Sequence, residues 1–303
     1  MAIVLGVNRY GKAENRVVRI TRTGNTHEIL DLNVTVQLSG EFAATHLTGD
    51  NSNVVPTDTM KNTVFALSHE FGALQPEAFA LRVGRHFLTS HTHLCAAEVR
   101  IEKFDWERII CASTPSPRAF RRNGSMRRTA SARVTRAGAS THEFVVSGLE
   151  DLVVLKTSDS EFSGFLRDKH TTLADATDRV MATEVSARWR IESTDGARLD
   201  AIDWGSQFDR ALDTMLTAFA EHHSLSLQQT LYLMGERVLA QERAIAAIRL
   251  SLPNKHHFLV DLSPFLRENR SEVYIAADRP YGLIEAVIQR DDAPPVAGEW
   301  PSW

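Results

Sequence analysis

Cysteine is nearly absent from this chain: Cys95 and Cys111 are the only two in 303 residues. Two thiols at that spacing make neither a disulfide framework nor a zinc knuckle, so a reducing, cytoplasmic setting is expected. Long apolar runs are missing as well. No window approaches the roughly 18 apolar residues of a membrane span, so no membrane partner is expected. The opening Met1-Ala2-Ile3-Val4-Leu5-Gly6 is too short an apolar run for a secretory signal. The closing Pro301-Ser302-Trp303 is not the Ser-Lys-Leu address of a peroxisomal protein. There is no glycine-rich phosphate loop and no Gly-x-Ser-x-Gly elbow, which removes two common nucleotide and acyl chemistries. Charge of one sign is not in excess. The net charge of −4 gives no general pull towards nucleic acid or acidic lipid. His91-Thr92-His93 has the look of a metal pair, but no third ligand stands at useful spacing, so it reads as a loop and no metal site is assigned.

What is present is an ordinary globular composition, 43% hydrophobic and 24% charged, long enough for two domains of about 150 residues. Residues 3 to 40 read as strands. Arg16 to Thr21 is rich in β-branched residues, Thr23-Gly24-Asn25 supplies a turn, and Leu30, Leu32, Val34, Val36 and Leu38 alternate. Val54-Val55 ends an extended segment, Pro56 holds it extended, and Thr57 or Asp58 can cap a helix running through Leu67. A second helix starts at Pro76, with Phe79, Val83 and Phe87 on one face. Residues 94 to 110 return to strand character. Seven arginines crowd residues 118 to 136. Aromatic residues are almost missing there, and Thr129 to Thr135 looks like an amphipathic strand, so a solvated face is favoured over a nucleic-acid partner.

Arg136 to Thr141 reads as a linker, which places one domain at 1–137 and the next at 138–303. The second half repeats the order of the first. Glu143–Lys156 and Val180–Ile191 read as strands. A helix opens at Ser206, with Asp209 at the capping-box position and the stripe Phe208, Leu212, Met215, Leu216, Phe219. Another opens at Ser226, paired with Gln229. Strands follow at Ala246–Leu252, His257–Leu262 and Leu283–Arg290. The fold class is therefore α+β: tandem ββααββ domains, antiparallel sheets with helices on one face. The uncovered face must be buried elsewhere, and a sheet curled into an oligomeric β-barrel would bury it.

Several segments resemble those of the urate oxidases (uricases), in the same order along nearly the whole chain. They are Tyr10-Gly11-Lys12, Gly49-Asp50-Asn51, Thr57-Asp58-Thr59-Met60-Lys61-Asn62-Thr63, Leu155-Lys156-Thr157 and Glu161-Phe162-Ser163-Gly164-Phe165. Further along come Asp178-Arg179, Ser226-Leu227-Gln228-Gln229-Thr230-Leu231-Tyr232, Ser251-Leu252-Pro253-Asn254-Lys255-His256 and Ala277 to Ala286. The resemblance implies the tunnelling fold, a homotetramer with active sites at subunit interfaces, and oxidation of urate by dioxygen to 5-hydroxyisourate and hydrogen peroxide without a cofactor.

The residue types suit that chemistry. Urate is a flat anion, which a forked Arg179 can hold through two charge-assisted bonds. Gln228 adds an amide donor and acceptor, Leu227 a backbone N–H at a helix start, and Phe162 a ring to stack on. The resemblance carries the proton relay onto Lys12, Thr57 and His256, places Asn254 at the oxygen or water site, and brings Thr57 and Asp58 from a neighbouring chain. Each residue alone also fits an ordinary structural role, and it is the joint match that selects the reading. A tunnelling-fold enzyme acting on a pterin, anchored by a glutamate such as Glu285, or a non-catalytic purine-binding protein is the alternative.

Overall fold

The computed structural model describes residues 1–138, 140–293 and 300. Its chain forms two compact units, residues 1–148 with 190–208 and residues 149–189 with 209–293.

The first unit starts with a hairpin of β1 (Tyr10–Thr23) and β2 (Thr26–Gly40), followed by α1 (Ala43–Thr48), α2 (Thr57–Phe71) and α3 (Pro76–Ser90), then β3 (Leu94–Cys111) and β4 (Thr114–Ala137). Neighbouring strands are antiparallel and follow chain order. Alternation decides the faces. Leu32, Val34, Val36 and Leu38 of β2 are all buried, as are Val99 and Ile101 of β3 and Ala132 and Val134 of β4. Met60, Val64 and Leu67 of α2 and Phe79, Val83 and Phe87 of α3 supply the other half of that core. Each large side chain so buried contributes about 1.5–3 kcal/mol. Gly84 lets α3 approach closely, since a methyl there would come within 2.9 Å of Val134 Cγ2.

The other face of this sheet is polar and internally paired. Arg127 meets Glu102 at 2.7 Å, Asn33 donates to Glu102 at 2.9 Å, and Arg100 meets Glu98 at 2.6 Å.

The second unit takes the later part of β5 (Ser140–Lys156) and most of β6 (Met181–Ile191) and α5 (Trp204–Glu221), then α6 (Leu227–Gln241), β7 (Ile245–Leu259) and β8 (Tyr274–Gln289). A short α4 (Gly196–Asp200) precedes α5 and lies with the first unit. β7 and β8 are antiparallel. Here Gly235 of α6 takes the role of Gly84, with a would-be methyl 2.8 Å from Ile288 Cδ1. Each half of the chain thus runs strand pair, helix pair, strand pair, with α1 and α4 as additions that no periodic pattern announces.

Several local expectations are corrected. β1 begins at Tyr10, not near residue 3, because the β1–β2 register starts at Tyr10↔Leu38 and Ile3 is fully exposed. Neither Thr57 nor Asp58 caps α2. Pro56 occupies the cap position, no side chain bonds there, and Thr57 and Asp58 form the first helical turn. α5 opens at Trp204, where Asp203 rather than Ser206 acts as cap. Asp203 Oδ1 accepts from the Ser206 N–H at 3.1 Å and its Oδ2 from the Ser206 hydroxyl at 2.6 Å. Of the expected stripe, Phe208, Met215 and Phe219 are buried, with Ala211 and Ala218 beside them, while Leu212 and Leu216 remain partly exposed. The separate strands expected at Ala246–Leu252 and His257–Leu262 are one strand, β7.

The arginine run is strand β4, and much of it is structural. Arg128 is buried against Glu77 at 2.8 Å and donates to the Trp204 carbonyl at 2.8 Å, while Glu77 also accepts from Ser147 at 2.7 Å. Arg136 donates to the Leu88 carbonyl at 2.6 Å, and Arg121 pairs with Glu107 at 2.8 Å. No helix among the described residues is long and apolar enough to cross a membrane.

Candidate active site

Four segments of the second unit converge on one small cavity. The first two are residues 160–162 and 176–179, which pair as a short antiparallel ladder. The Phe162 N–H donates to the Ala176 carbonyl at 2.8 Å, the Ala176 N–H to the Phe162 carbonyl at 2.9 Å, and the Arg179 N–H to the Ser160 carbonyl at 2.7 Å. This ladder brings Phe162 and Arg179 together, with the Arg179 guanidinium carbon 5.6 Å from the Phe162 ring centre. The third segment leads into α6. Ser224 bridges to Ser160, and the Glu161 N–H donates to the Ser224 carbonyl at 2.8 Å. His223 Nε2 and Glu161 Oε1 reinforce this link at 2.7 Å, and that hydrogen bond raises the imidazole above its ordinary value.

Ser226 caps α6, accepting from the Gln229 N–H at 3.2 Å, and Gln229 Oε1 accepts in return from the Leu225 N–H at 3.0 Å. The reciprocal bond of the capping box falls one residue earlier than expected. Leu227 and Gln228 are therefore the first two helical residues, whose N–H groups have no partner within the helix.

β7 supplies the opposite wall. Asn254 and His256 stand two apart on the strand and share a face, at a register shift opposite Gly282 and Ala277. Lys255 faces away and pairs with Glu184.

The result is a cavity of about 170 Å³ lined by Phe162, Arg179, Leu227, Gln228, Asn254 and His256, with Leu173, Ala174, Ala176 and Ile284 completing its wall. That is below the roughly 300–1,000 Å³ of drug-sized pockets, and suits a small flat molecule. Arg179 Nε is buried without a hydrogen-bond partner among the described residues. Burial lowers the Arg179 pKa from its ordinary value. A half-buried guanidinium with a buried, unanswered N–H is costly in the free protein and favours an anion.

His256 is pulled below the usual histidine range, first by burial and then by the Arg179 charge. The ring is thus neutral at neutral pH and able to accept a proton. The depressed pKa keeps the neutral form through neutral pH, and it is lost only as pH falls through a value below the ordinary 6.5. The acid limb of kcat/KM should therefore lie below the ordinary histidine range. It should vanish in His256→Gln, and an acid limb unchanged in that variant would exclude His256 from the reaction.

Lys12, Thr57 and Asp58 lie in the first unit. Thr57 and Asp58 open α2, exposed. The Asp58 carboxyl is held below the usual range first by a hydrogen bond from Lys61 and by its charge. Asn62 also donates to it, at 2.9 Å, and Lys12 adds a favourable charge from β1. β1 is stapled to this region on both sides of Lys12. The Tyr10 hydroxyl accepts from the Val55 N–H at 2.7 Å and donates to the Val55 carbonyl at 3.1 Å. Asn15 Nδ2 donates to the Lys61 carbonyl at 3.4 Å, and a bulge lies between Lys12 and Asn15.

The structure therefore gathers six of the predicted residues in one unit and three in the other. The sequence reading missed the lining residues Leu173, Ala174 and Ala176, which are small or apolar side chains in an irregular loop with no periodic signal. Ile284 lay inside a matched segment without being singled out. His91 and His93 sit with ring centres 5.9 Å apart. Among the described residues no three His, Cys, Asp or Glu side chains are arranged to hold a metal ion.

Comparison with known proteins adds to this geometry. A family model described as uricase matches residues 8–133 and 145–285. A uricase of Arthrobacter globiformis is 47% identical over 301 residues, 99% of this chain and 94% of that protein. A uricase of Dictyostelium discoideum is 37% identical over 286 residues, 93% of this chain and 96% of that one. The crystal structure of the Arthrobacter globiformis uricase superposes with a TM-score of 0.90 over 99% of both chains. That of a Bacillus fastidious uricase, 24% identical, gives 0.81 over 96% of both and shows the shared fold.

Proposed function

The chain belongs to the uricase family, and we infer that it is a urate oxidase of tunnelling fold, converting urate, dioxygen and water into 5-hydroxyisourate and hydrogen peroxide. The balance is a two-electron transfer from the purine to dioxygen, with water supplying the new hydroxyl. The pterin and non-catalytic alternatives are not favoured. The observation that carries the assignment is the half-buried Arg179 fork, its buried Nε–H unanswered among the described residues, beside the Phe162 ring in a small cavity. Arg179 and Gln228 meet the edge of the purine, Phe162 its face, and the Leu227 N–H a further acceptor. Asn254 attends the oxygen or water site above the ring. Lys12, Thr57 and His256 pass protons. The urate anion is itself the reductant, so the reaction asks for no metal or flavin.

In this reading the enzyme is a cytoplasmic homotetramer, and Thr57 and Asp58 reach each pocket from a neighbouring chain. The two exposed free cysteines, Cys95 and Cys111, support the reducing compartment. The placement of Lys12, Thr57 and Asp58 in one unit and of Arg179 in the other supports a site assembled from two chains. Taken by repeated element order rather than by compactness, the tandem domains of this reading are 1–137 and 138–303.

Purified protein treated exhaustively with chelator should remove the ultraviolet absorbance of urate and release an equal amount of peroxide. Protein that stays inactive until one particular metal is returned would end the cofactor-free reading. The shared site has its own test. Thr57→Ala and Arg179→Ala chains, each impaired alone at low urate, should recover about a quarter of intact sites when co-expressed, because random pairing of symmetric partners builds one intact and one doubly defective site per mixed pair. Turnover no higher than the mean of the two variants, in protein shown to contain both chains, would place each site within one chain.

A further inference from the structure

Behind the cavity wall, the loop from Gly164 to Asp178 is organised around a side chain that does not line the cavity. The Phe162 ring stacks on the Phe165 ring, centroids 5.1 Å apart and planes 10° from parallel. Phe165 is outside the cavity lining, so it backs Phe162 rather than occupying its free face. The Arg167 guanidinium lies over the Phe165 ring at 4.7 Å. The same guanidinium donates to the Leu173 carbonyl at 3.1 Å and pairs with Asp175 at 3.0 Å. Asp175 in turn accepts from the Gly164 N–H at 3.2 Å.

We propose that Arg167 is a positioning residue for purine recognition, holding two cavity walls in register: the Phe162 ring through Phe165, and the Leu173–Ala176 segment through Leu173 and Asp175. The proposal rests on the urate oxidase reading above. A planar guanidinium can cover a ring with its face while its edge donates to a carbonyl and a carboxylate. An ammonium cannot do all three. A ring free to turn would lose its stacking geometry on a flat ligand, whereas one backed by a parallel neighbour stays aligned. Arg167 is half exposed and outside the cavity lining, so its effect falls on binding rather than on chemistry.

Steady-state kinetics of the full chain with urate decide the matter, with wild-type protein measured first. Wild-type protein that does not oxidise urate would refute the function, independently of Arg167. With an active wild type, Arg167→Gln should raise KM about fivefold with kcat within about twofold, from the loss of a cation–ring contact and a partly exposed ion pair. Competitive inhibition by xanthine, a planar purine without the C8 oxygen, should weaken by the same factor. Arg167→Lys should not restore either value. Phe165→Leu, which removes the backing ring and leaves the ion pair, should give the same split. KM within twofold of wild type in Arg167→Gln, or kcat falling as far as KM rises, would overturn the proposal. So would a xanthine inhibition constant that stays put while KM moves.

Discussion

Arg179→Ala should raise KM for urate about a hundredfold or more, while leaving the melting temperature unchanged or higher. The two halves of this expectation have one cause. A guanidinium making two charge-assisted bonds to an anion contributes about 1.5–3 kcal/mol per bond, and about 2.7 kcal/mol is a hundredfold in affinity. Most of that binding is present in the bound substrate as well as the transition state, so the loss falls first on KM. In the free protein the same side chain is a burden. It is substantially buried, its Nε has no partner among the described residues, and burial disfavours its charge. Its backbone N–H, bonded to Ser160 at 2.7 Å, holds the ladder, and alanine keeps that bond. Residues placed for binding commonly cost stability in this way. A marked drop in melting temperature with KM unchanged would make Arg179 a structural residue and remove the anion clamp.

Lys12→Met should lower kcat by about 10²–10⁴, the range of lost general acid–base help, with a much smaller change in KM. Lys12 is half-buried on β1 and close enough to Asp58 for its charge to favour the carboxylate. Methionine keeps the length and the packing of the stem and removes only the ammonium. The Tyr10 and Asn15 contacts on either side hold the strand through backbone partners on the α2 side. The variant should therefore fold as wild type does. Single-turnover measurement at saturating urate separates binding from the chemical step, and an unchanged rate there would take Lys12 out of the relay.

The sequence carried the architecture where local periodicity and global packing agree. The alternation Leu32, Val34, Val36, Leu38 became the buried face of β2, and the stripe Phe79, Val83, Phe87 became the buried face of α3. It misjudged places where one residue's chemistry can serve two positions. Thr57 and Asp58 are good capping types, yet Pro56 takes the cap and leaves both in the first turn. Ser206 is a good capping type too, but Asp203, three residues earlier, caps the helix. Arg128 looked like one more solvated cation in a run, yet it alternates inward to Glu77.

By itself the sequence determined the repeated strand, helix and strand order and a set of residue types suited to a flat anion. Hydrophobic period and residue chemistry are local properties, readable without knowing what lies across the fold. Only the tertiary structure decided that the Phe162, Arg179, Leu227, Gln228, Asn254 and His256 segments, spread over some ninety residues, share one cavity. It alone decided that burial and the Arg179 charge together lower the His256 pKa, and that the Arg167 guanidinium lies over the Phe165 ring. Those facts depend on which distant backbone groups pair, as Ser160 does with Arg179 and Ser224. Such pairing is set by the summed packing of the whole unit rather than by any stretch of chain alone.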